Sequence, residues 1–318
     1  MMQPLNFSDH PVFTKDFTVI TPALAEACSV AMDAVFMRRT GLVFYGLARV
    51  GKTRCVRILK NKLAGFMPRA YVTQIEVIKK DKSYTSSIAL QIGLAEGCEF
   101  KTRELAVPRF VRIVDVIALK CAERNCNQWV LILDEFQRLR VFDLHQLADL
   151  LNMLEGRGVI MTLISFAMPG VSDLRKDVAR EKDGAKLISR FMSDFIEFPG
   201  CKSESELRVI LDTFDETSEY PKFSGIPYTR SLVPTAYAYG FRLAPYSKLM
   251  WDSLNAEAQG AYRKNLPLEH VFMTLRYLLR HCIINDRPSL TLTKGNFDSA
   301  VAHSKLAEFT KLNGGKLA

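Results

Sequence analysis

Gly46-Leu47-Ala48-Arg49-Val50-Gly51-Lys52-Thr53 follows the apolar run Gly41-Leu42-Val43-Phe44-Tyr45 and opens a helical pattern in which Val56, Leu59 and Leu63 fall on one side. It fits the phosphate-loop spacing of a glycine, four free positions, then Gly-Lys-Thr. Each fixed residue has a physical task. The glycines let the backbone curl so that successive N–H groups point inward at phosphate oxygens. A helix starting near Gly51 turns its positive end toward the same anion. Lys52 neutralises phosphate charge, and the Thr53 hydroxyl is a ligand for magnesium. The bland alternative, a glycine turn beside a surface lysine, leaves the flanking strand and helix patterns without a purpose.

A second signal stands about 80 residues downstream, where Val130-Leu131-Ile132-Leu133 ends in Asp134-Glu135. A buried strand running into an acid places Asp134 at the carboxyl edge of a sheet, where open α/β proteins bind ligands. Asp134 is the expected magnesium partner, and Glu135 the base that takes a proton from attacking water. Adjacent acids after a strand also serve as turn caps, and metabolite kinases share the phosphate loop. A kinase needs an acceptor pocket, for which the sequence has no motif.

The apolar runs at 41–45, 70–78, 129–134, 159–166 and 195–198 alternate with helical patterns at 51–64, 86–96, 108–124, 144–154 and around 186–190. A further helical pattern, 22–38, precedes the first run. Ser83 or Thr85 is the expected cap of the helix over 86–96. Alternation of this kind predicts an α/β fold with a parallel five-stranded sheet covered by helices on both faces. After Pro199-Gly200 the alternation stops, and the remainder reads as helix interrupted by prolines. The expected organisation is an N-terminal extension over 1–40, a nucleotide-binding core over 41–200, a helical lid over 201–283 and a C-terminal segment over 284–318.

The 318 residues are 48% hydrophobic and 24% charged, which suits a globular protein with a sizeable core. The seven cysteines are widely spaced and form no Cys-x-x-Cys pair, so buried free thiols in a reducing cytoplasm are the expectation rather than a zinc site. No run approaches the roughly 18 apolar residues that span a bilayer, so the sequence predicts a cytoplasmic protein with no membrane partner. The formal charge of +9 leaves a polyanionic partner open without proving one.

With these residues in view, the sequence resembles the AAA+ ATPases, and within them the TnsC/TniB regulators of transposition. The resemblance rests on Tyr45 through Arg54, on Leu133-Asp134-Glu135-Phe136-Gln137-Arg138-Leu139, on Leu187-Ile188-Ser189-Arg190-Phe191, and on the entry segment Ile20-Thr21-Pro22. It covers roughly residues 15–260. It implies a P-loop AAA+ fold with a smaller all-helical lid, ATP and Mg2+ as cofactors, and slow, assembly-dependent ATP hydrolysis. Ser165 falls where the family carries a water-positioning sensor, although a serine ending a strand needs no such role. Arg190 falls where it carries an arginine finger that reaches a neighbouring subunit's nucleotide. Arg242 is the nearest match to a second sensor, with Pro245 interrupting the usual helix, and Lys248 is a weaker candidate. The resemblance also implies a homo-oligomer, ring or filament, on double-stranded DNA that links a target-selecting protein to a transposase. Other bacterial AAA+ ATPases, such as helicase loaders and secretion-associated ATPases, remain alternatives, as does a scaffold that binds ATP and barely turns it over.

For DNA, Lys79, Lys80, Lys82, Ser83, Tyr84 and Thr85 bring basic and hydroxyl side chains together before a helical pattern, a composition suited to phosphate contacts that carry no sequence information. Lys101 and Arg103 form a smaller candidate. Solvated loops are the alternative for both. The C-terminal basic residues Arg263, Lys264, Arg276, Arg280 and Arg287 read as a solvated face, with Arg276 and Arg280 four apart on one side of a helix.

Overall fold

Five apolar runs become five parallel strands: β1 (Gly41–Tyr45), β2 (Tyr71–Glu76), β3 (Gln128–Asp134), β4 (Ile160–Ala167) and β5 (Phe195–Glu197). The computed structural model describes residues 7–79, 87–100 and 105–314. The strand order is β2-β3-β4-β1-β5. From β1 the chain crosses to the far edge at β2, and from β4 it returns past β1 to β5. That reversal opens a ligand crevice at the carboxyl ends of the central strands. All seven residues of β3 are buried, which accounts for the unbroken apolar run from Trp129 to Leu133.

Register sets which residues share the carboxyl edge. Tyr45 pairs with Ala167 and with Glu197, Leu133 with Ser165, and Glu76 with Asp134. Alternate residues serve the two faces. Val43, Leu131, Leu133 and Leu163 join a core with Ile113, Ile117, Leu144, Leu147 and Leu151 from the helices Ala106–Glu123 and Val141–Glu155. The phosphate-loop helix, Lys52–Phe66, buries Cys55, Val56, Leu59 and Leu63, and it packs on β2, β3 and β4. Near the amino end of β2, the Trp129 indole N–H donates to Thr73 Oγ1 at 2.9 Å, and Thr73 donates to the buried Glu96 carboxylate at 2.5 Å. Lys120 closes this network with a 2.8 Å ion pair to Glu96.

The sheet belongs to a unit comprising Glu26–Ala48 and Lys52–Phe198. The helix over 86–96 begins at Ile88, and its cap is Ser87, whose side chain accepts from the Leu90 N–H at 3.3 Å. Ser83 and Thr85, the expected caps, lie outside the described residues. One helix, Val171–Ala179, has no counterpart in the sequence reading.

The second unit is helical and takes in the described residues up to Ala25, Arg49–Gly51 and the chain from Pro199. Its main helices are Glu204–Asp212, Ser247–Glu257, Leu268–Ile284, Lys294–Ser304 and Leu306–Gly314. Leu207, Phe214, Met250, Leu254, Leu275, Leu279 and Phe297 form its interior. The buried Asp215 carboxylate accepts from Thr229 Oγ1 at 2.7 Å, Leu243 N at 2.8 Å and Ala244 N at 2.9 Å. Burial still pushes its pKa up despite these bonds. Every cysteine is a free thiol, and six of the seven are buried. Among the described residues, no helix is long and apolar enough to cross a membrane.

The N-terminal arm is anchored to the helical unit by His10, which is 1% exposed. Its Nδ1 accepts from the Val12 N–H at 3.2 Å and its Nε2 lies 3.0 Å from Ser231 Oγ, with the rings of Tyr220 and Tyr228 at 4.5 and 4.9 Å. Burial lowers the His10 pKa from 6.5 to about 4. The unfolded chain therefore binds more protons than the native one between these values, so this contribution is complete above pH 6.5 and fades as pH falls toward 4. Urea titrations at pH 7 and pH 4.5 should show a loss of stability that is smaller, by up to about 3 kcal/mol, in His10→Gln than in the unsubstituted chain. Equal losses in the two proteins would remove His10 as the titrating group.

Candidate nucleotide site

Gly46 leaves β1 with its N–H bonded to the Ala167 carbonyl at 3.1 Å. A Cβ at this position would stand 2.0 Å from the Phe198 carbonyl oxygen, so only glycine fits the close approach. Arg49 at φ 63° and Gly51 at φ 104° make the left-handed turns that curl the loop before the helix begins at Lys52. Leu47 and Val50 point into protein and are buried.

Lys52 is 6% exposed, and its ammonium donates to the carbonyls of its own loop, Gly46 at 2.8 Å and Leu47 at 2.7 Å, with Met168 Sδ at 3.4 Å. Burial lowers its pKa from 10.5 to about 8, opposed by the negative charges of Glu135 and Asp134. A cation held in this way favours an anion. The Thr53 hydroxyl donates to Asp134 Oδ2 at 2.7 Å, joining the start of the helix to the end of β3. The other oxygen, Asp134 Oδ1, accepts from the Glu135 N–H at 2.9 Å. Thr53 and Asp134 thus offer adjacent hard oxygens of the type magnesium takes, with nucleotide oxygens and water left to complete its shell. Among the described residues no group of three or more His, Cys, Asp or Glu side chains is placed to hold a metal ion.

Glu135 adopts a left-handed backbone, φ 60° and ψ 36°, which lets the chain turn away directly after the strand. Gln137 Nε2 donates to its carboxylate at 2.8 Å, and Arg138 pairs with it at 3.1 Å. Gln137 Oε1 accepts the Met168 N–H at 2.8 Å, just past β4, and Arg138 donates to the Val77 carbonyl at 2.9 Å, just past β2. The carboxylate is therefore oriented from three neighbouring strand ends. In the sequence Gln137 and Arg138 stand out only through the resemblance. Their closeness to Glu135 in the chain was a usable signal, but their links to Met168 and Val77 required the fold.

Ser165, the expected sensor, lies on β4. It is fully buried, opposite Leu133, one residue short of the level of Asp134. Its hydroxyl has no hydrogen-bond partner among the described residues. Just past the end of β4 it is Gln137, from the turn after β3, that meets the Met168 N–H.

Arg190 ends the helix Gly184–Phe191, and its guanidinium donates to Asn152 Oδ1 at 3.1 Å. A Cβ on Gly41 would lie 2.8 Å from the Arg190 carbonyl, which puts Arg190 at the amino end of β1. The phosphate loop leaves the carboxyl end of that strand. Arg54 is half-buried on the phosphate-loop helix. Within the helical unit, Arg49 pairs with Glu269 at 2.5 Å and lies over the Phe309 ring at 5.2 Å. Arg242 stacks on the Tyr237 ring at 3.4 Å and donates to the Tyr237 and Phe241 carbonyls, while Lys248 pairs with Asp252 at 2.7 Å. Both second-sensor candidates are thus engaged inside their own unit. Lys79 is exposed. Lys80, Lys82, Ser83, Tyr84, Thr85, Lys101 and Arg103 lie outside the described residues.

Comparison with known proteins fits this geometry. Residues 37–175 match the model of an AAA domain. The Aeropyrum pernix ORC2 protein, solved in ADPNP–ADP complexes, is similar in structure over 92% of this chain and 71% of its own, with TM-score 0.56 and 13% identity. Drosophila ORC bound to DNA is similar over 91% of this chain and 71% of its own, with TM-score 0.50 and 14% identity. No curated protein matches the sequence. At these identities the structural likeness establishes the fold, and the AAA-domain match beside it supports ATPase activity. The chain has a P-loop AAA+ fold, a parallel five-stranded sheet flanked by helices, and it is residues 37–175 that match the AAA domain.

Proposed function

We propose that this protein is a DNA-associated AAA+ ATPase that hydrolyses magnesium-bound ATP, and that its role is the regulation of transposition in the manner of TnsC/TniB proteins. The observation carrying the ATPase reading is the 2.7 Å bond between Thr53 and Asp134, with the buried Lys52 ammonium and the oriented Glu135 carboxylate beside it. Lys52 and the loop N–H groups hold phosphate oxygens, Thr53 and Asp134 hold the metal, and Glu135 takes a proton from water. Magnesium-bound ATP supplies the electrophilic phosphorus and the charge that these groups neutralise. Gln137 and Arg138 fix the direction of the Glu135 carboxylate, so the base is oriented without contact from Ser165.

The place of Arg190 supports an assembled enzyme. β1 has five residues, so at about 3.3 Å per residue its two ends are on the order of 15 Å apart. Arg190 therefore lies too far from its own phosphate loop to serve it, which supports its action at the site of a neighbouring copy. The DNA-associated reading draws on the net charge of +9 and on the DNA-bound ORC structure that shares the fold. The transposition reading draws on the segments around Gly46, Asp134 and Arg190, with a target selector and a transposase as the expected partners. A helicase loader would keep the same nucleotide chemistry and exchange those partners.

Glu135→Gln should retain ATP binding and lose hydrolysis by about 10²–10⁴-fold, read from phosphate release and from binding of a fluorescent nucleotide. Unchanged turnover would remove Glu135 from the mechanism. Arg190→Ala subunits alone should be nearly inactive, and mixing them with Glu135→Gln subunits should restore part of the activity, because some interfaces then pair an intact Arg190 with an intact Glu135. Co-assembly without recovery would contradict action between subunits.

A further inference from the structure

The helical unit has a shallow groove of about 270 Å³ between the helices Leu268–Ile284 and Lys294–Ser304. Tyr277, Arg280 and His281 line one wall, and Asn296, Ser299 and His303 the other. These positions recur at helical spacing, with the apolar Leu278, Ile284 and Ala300 completing the lining between them. The lining contains a guanidinium, two imidazoles, an amide and two hydroxyls, and no carboxylate.

The acids of the neighbouring chain are turned elsewhere. Glu269 pairs with Arg49, Asp286 accepts from the Thr235 and Ala236 N–H groups at 3.0 and 2.7 Å, and Asp298 accepts from Ser253 Oγ at 2.6 Å. Arg280 is exposed and has no hydrogen-bond or ion-pair partner among the described residues. Two other donors are already ordered. The ring of His303 stacks on Tyr277 at 4.9 Å and 21°. Asn296 accepts from Thr293 N and Oγ1 at 2.9 and 3.0 Å, which aims its amide nitrogen at His281 Nε2, 3.3 Å away. Pre-ordered donors lose little entropy on binding.

We propose that this groove is a contact for the phosphodiester backbone of duplex DNA. The inference rests on the DNA-associated reading above and adds a place for the contact, on a face that the sequence alone reads as solvated. Its chemistry is that of backbone gripping, where Arg, Ser, Asn and Tyr side chains meet phosphate oxygens without reading bases. The groove is smaller than the roughly 300–1,000 Å³ of pockets that enclose small ligands, so a polymer lying across it fits better than a free nucleotide inside it. Exposed Lys294, at the start of the second wall, extends the positive surface.

The test is fluorescence anisotropy of labelled duplexes of two unrelated sequences, and of one of their single strands, titrated with the full chain at several salt concentrations. Arg280→Ala combined with His303→Ala should weaken binding about 5–20-fold on both sequences and lower the slope of log K against log salt by about one. Ser299→Asp, which places a carboxylate in the groove, should weaken it in the same direction. Arg180→Ala, removing a cation from the sheet unit, should leave binding unchanged. Melting temperature and ATP turnover without DNA check that each variant is folded. Unchanged affinity and slope in the double variant and in Ser299→Asp would overturn the groove while leaving the DNA-associated reading in place. Loss confined to single-stranded DNA would overturn the assignment to duplex. No duplex binding by the unsubstituted chain at low salt would overturn the DNA-associated reading and the groove with it.

Discussion

The hydrogen bond from the Thr53 hydroxyl to Asp134 joins the first turn of one helix to the last residue of one strand across 81 positions of sequence. It forms only if β3 keeps its register, with Leu133 against Ser165 and Asp134 against Glu76. A slip of one residue would turn every side chain of β3 to the opposite face and carry Asp134 away from the loop. The same strand supplies Trp129, Leu131 and Leu133 to the core, so the packing that fixes the register also aims the acid. Gly46, held against the Phe198 carbonyl, fixes the other side of the cradle. The site is therefore a consequence of strand packing rather than a feature of a mobile loop.

Much of this was legible because parallel strands buried on both faces must be largely apolar, a condition that β3 and β4 meet most closely and the edge strands β2 and β5 meet only in part. The phosphate loop and Asp134-Glu135 were legible because their chemistry allows few substitutes at fixed spacing. Other features escaped for physical reasons. The helix Val171–Ala179 buries only Val171, Leu174 and Val178 among charged residues, and Pro169-Gly170 before it reads as a break. Ser87 rather than Ser83 or Thr85 caps its helix, a choice between similar hydroxyls that local sequence does not decide. The burial of Ser165 opposite Leu133 follows from strand register, which the sequence does not state. The bonds from Gln137 to Met168 and from Arg138 to Val77 join separate strand ends, so they are properties of the assembled sheet.

Charge ties these parts together. Lys52 spends its donors on two loop carbonyls while burial lowers its pKa, an arrangement that an anion entering the cradle would relieve. Glu135 is held by Gln137 and Arg138, and Arg190 stands at the opposite end of β1 from the cradle. Under the proposed reading a lone copy would bind nucleotide but lack one cation for rapid hydrolysis, so assembly would control turnover. Transposition regulation would use such coupling to make ATP consumption depend on what the assembly has formed upon.

The most direct measurement of the central claim is a high-resolution structure of the chain with magnesium and a slowly hydrolysed ATP analogue. The account predicts that the Lys52 ammonium leaves the Gly46 and Leu47 carbonyls for phosphate oxygens, and that Thr53 and Asp134 meet at the metal. Lys52 still bonded to those carbonyls, with the analogue absent from the cradle or bound elsewhere, would contradict it.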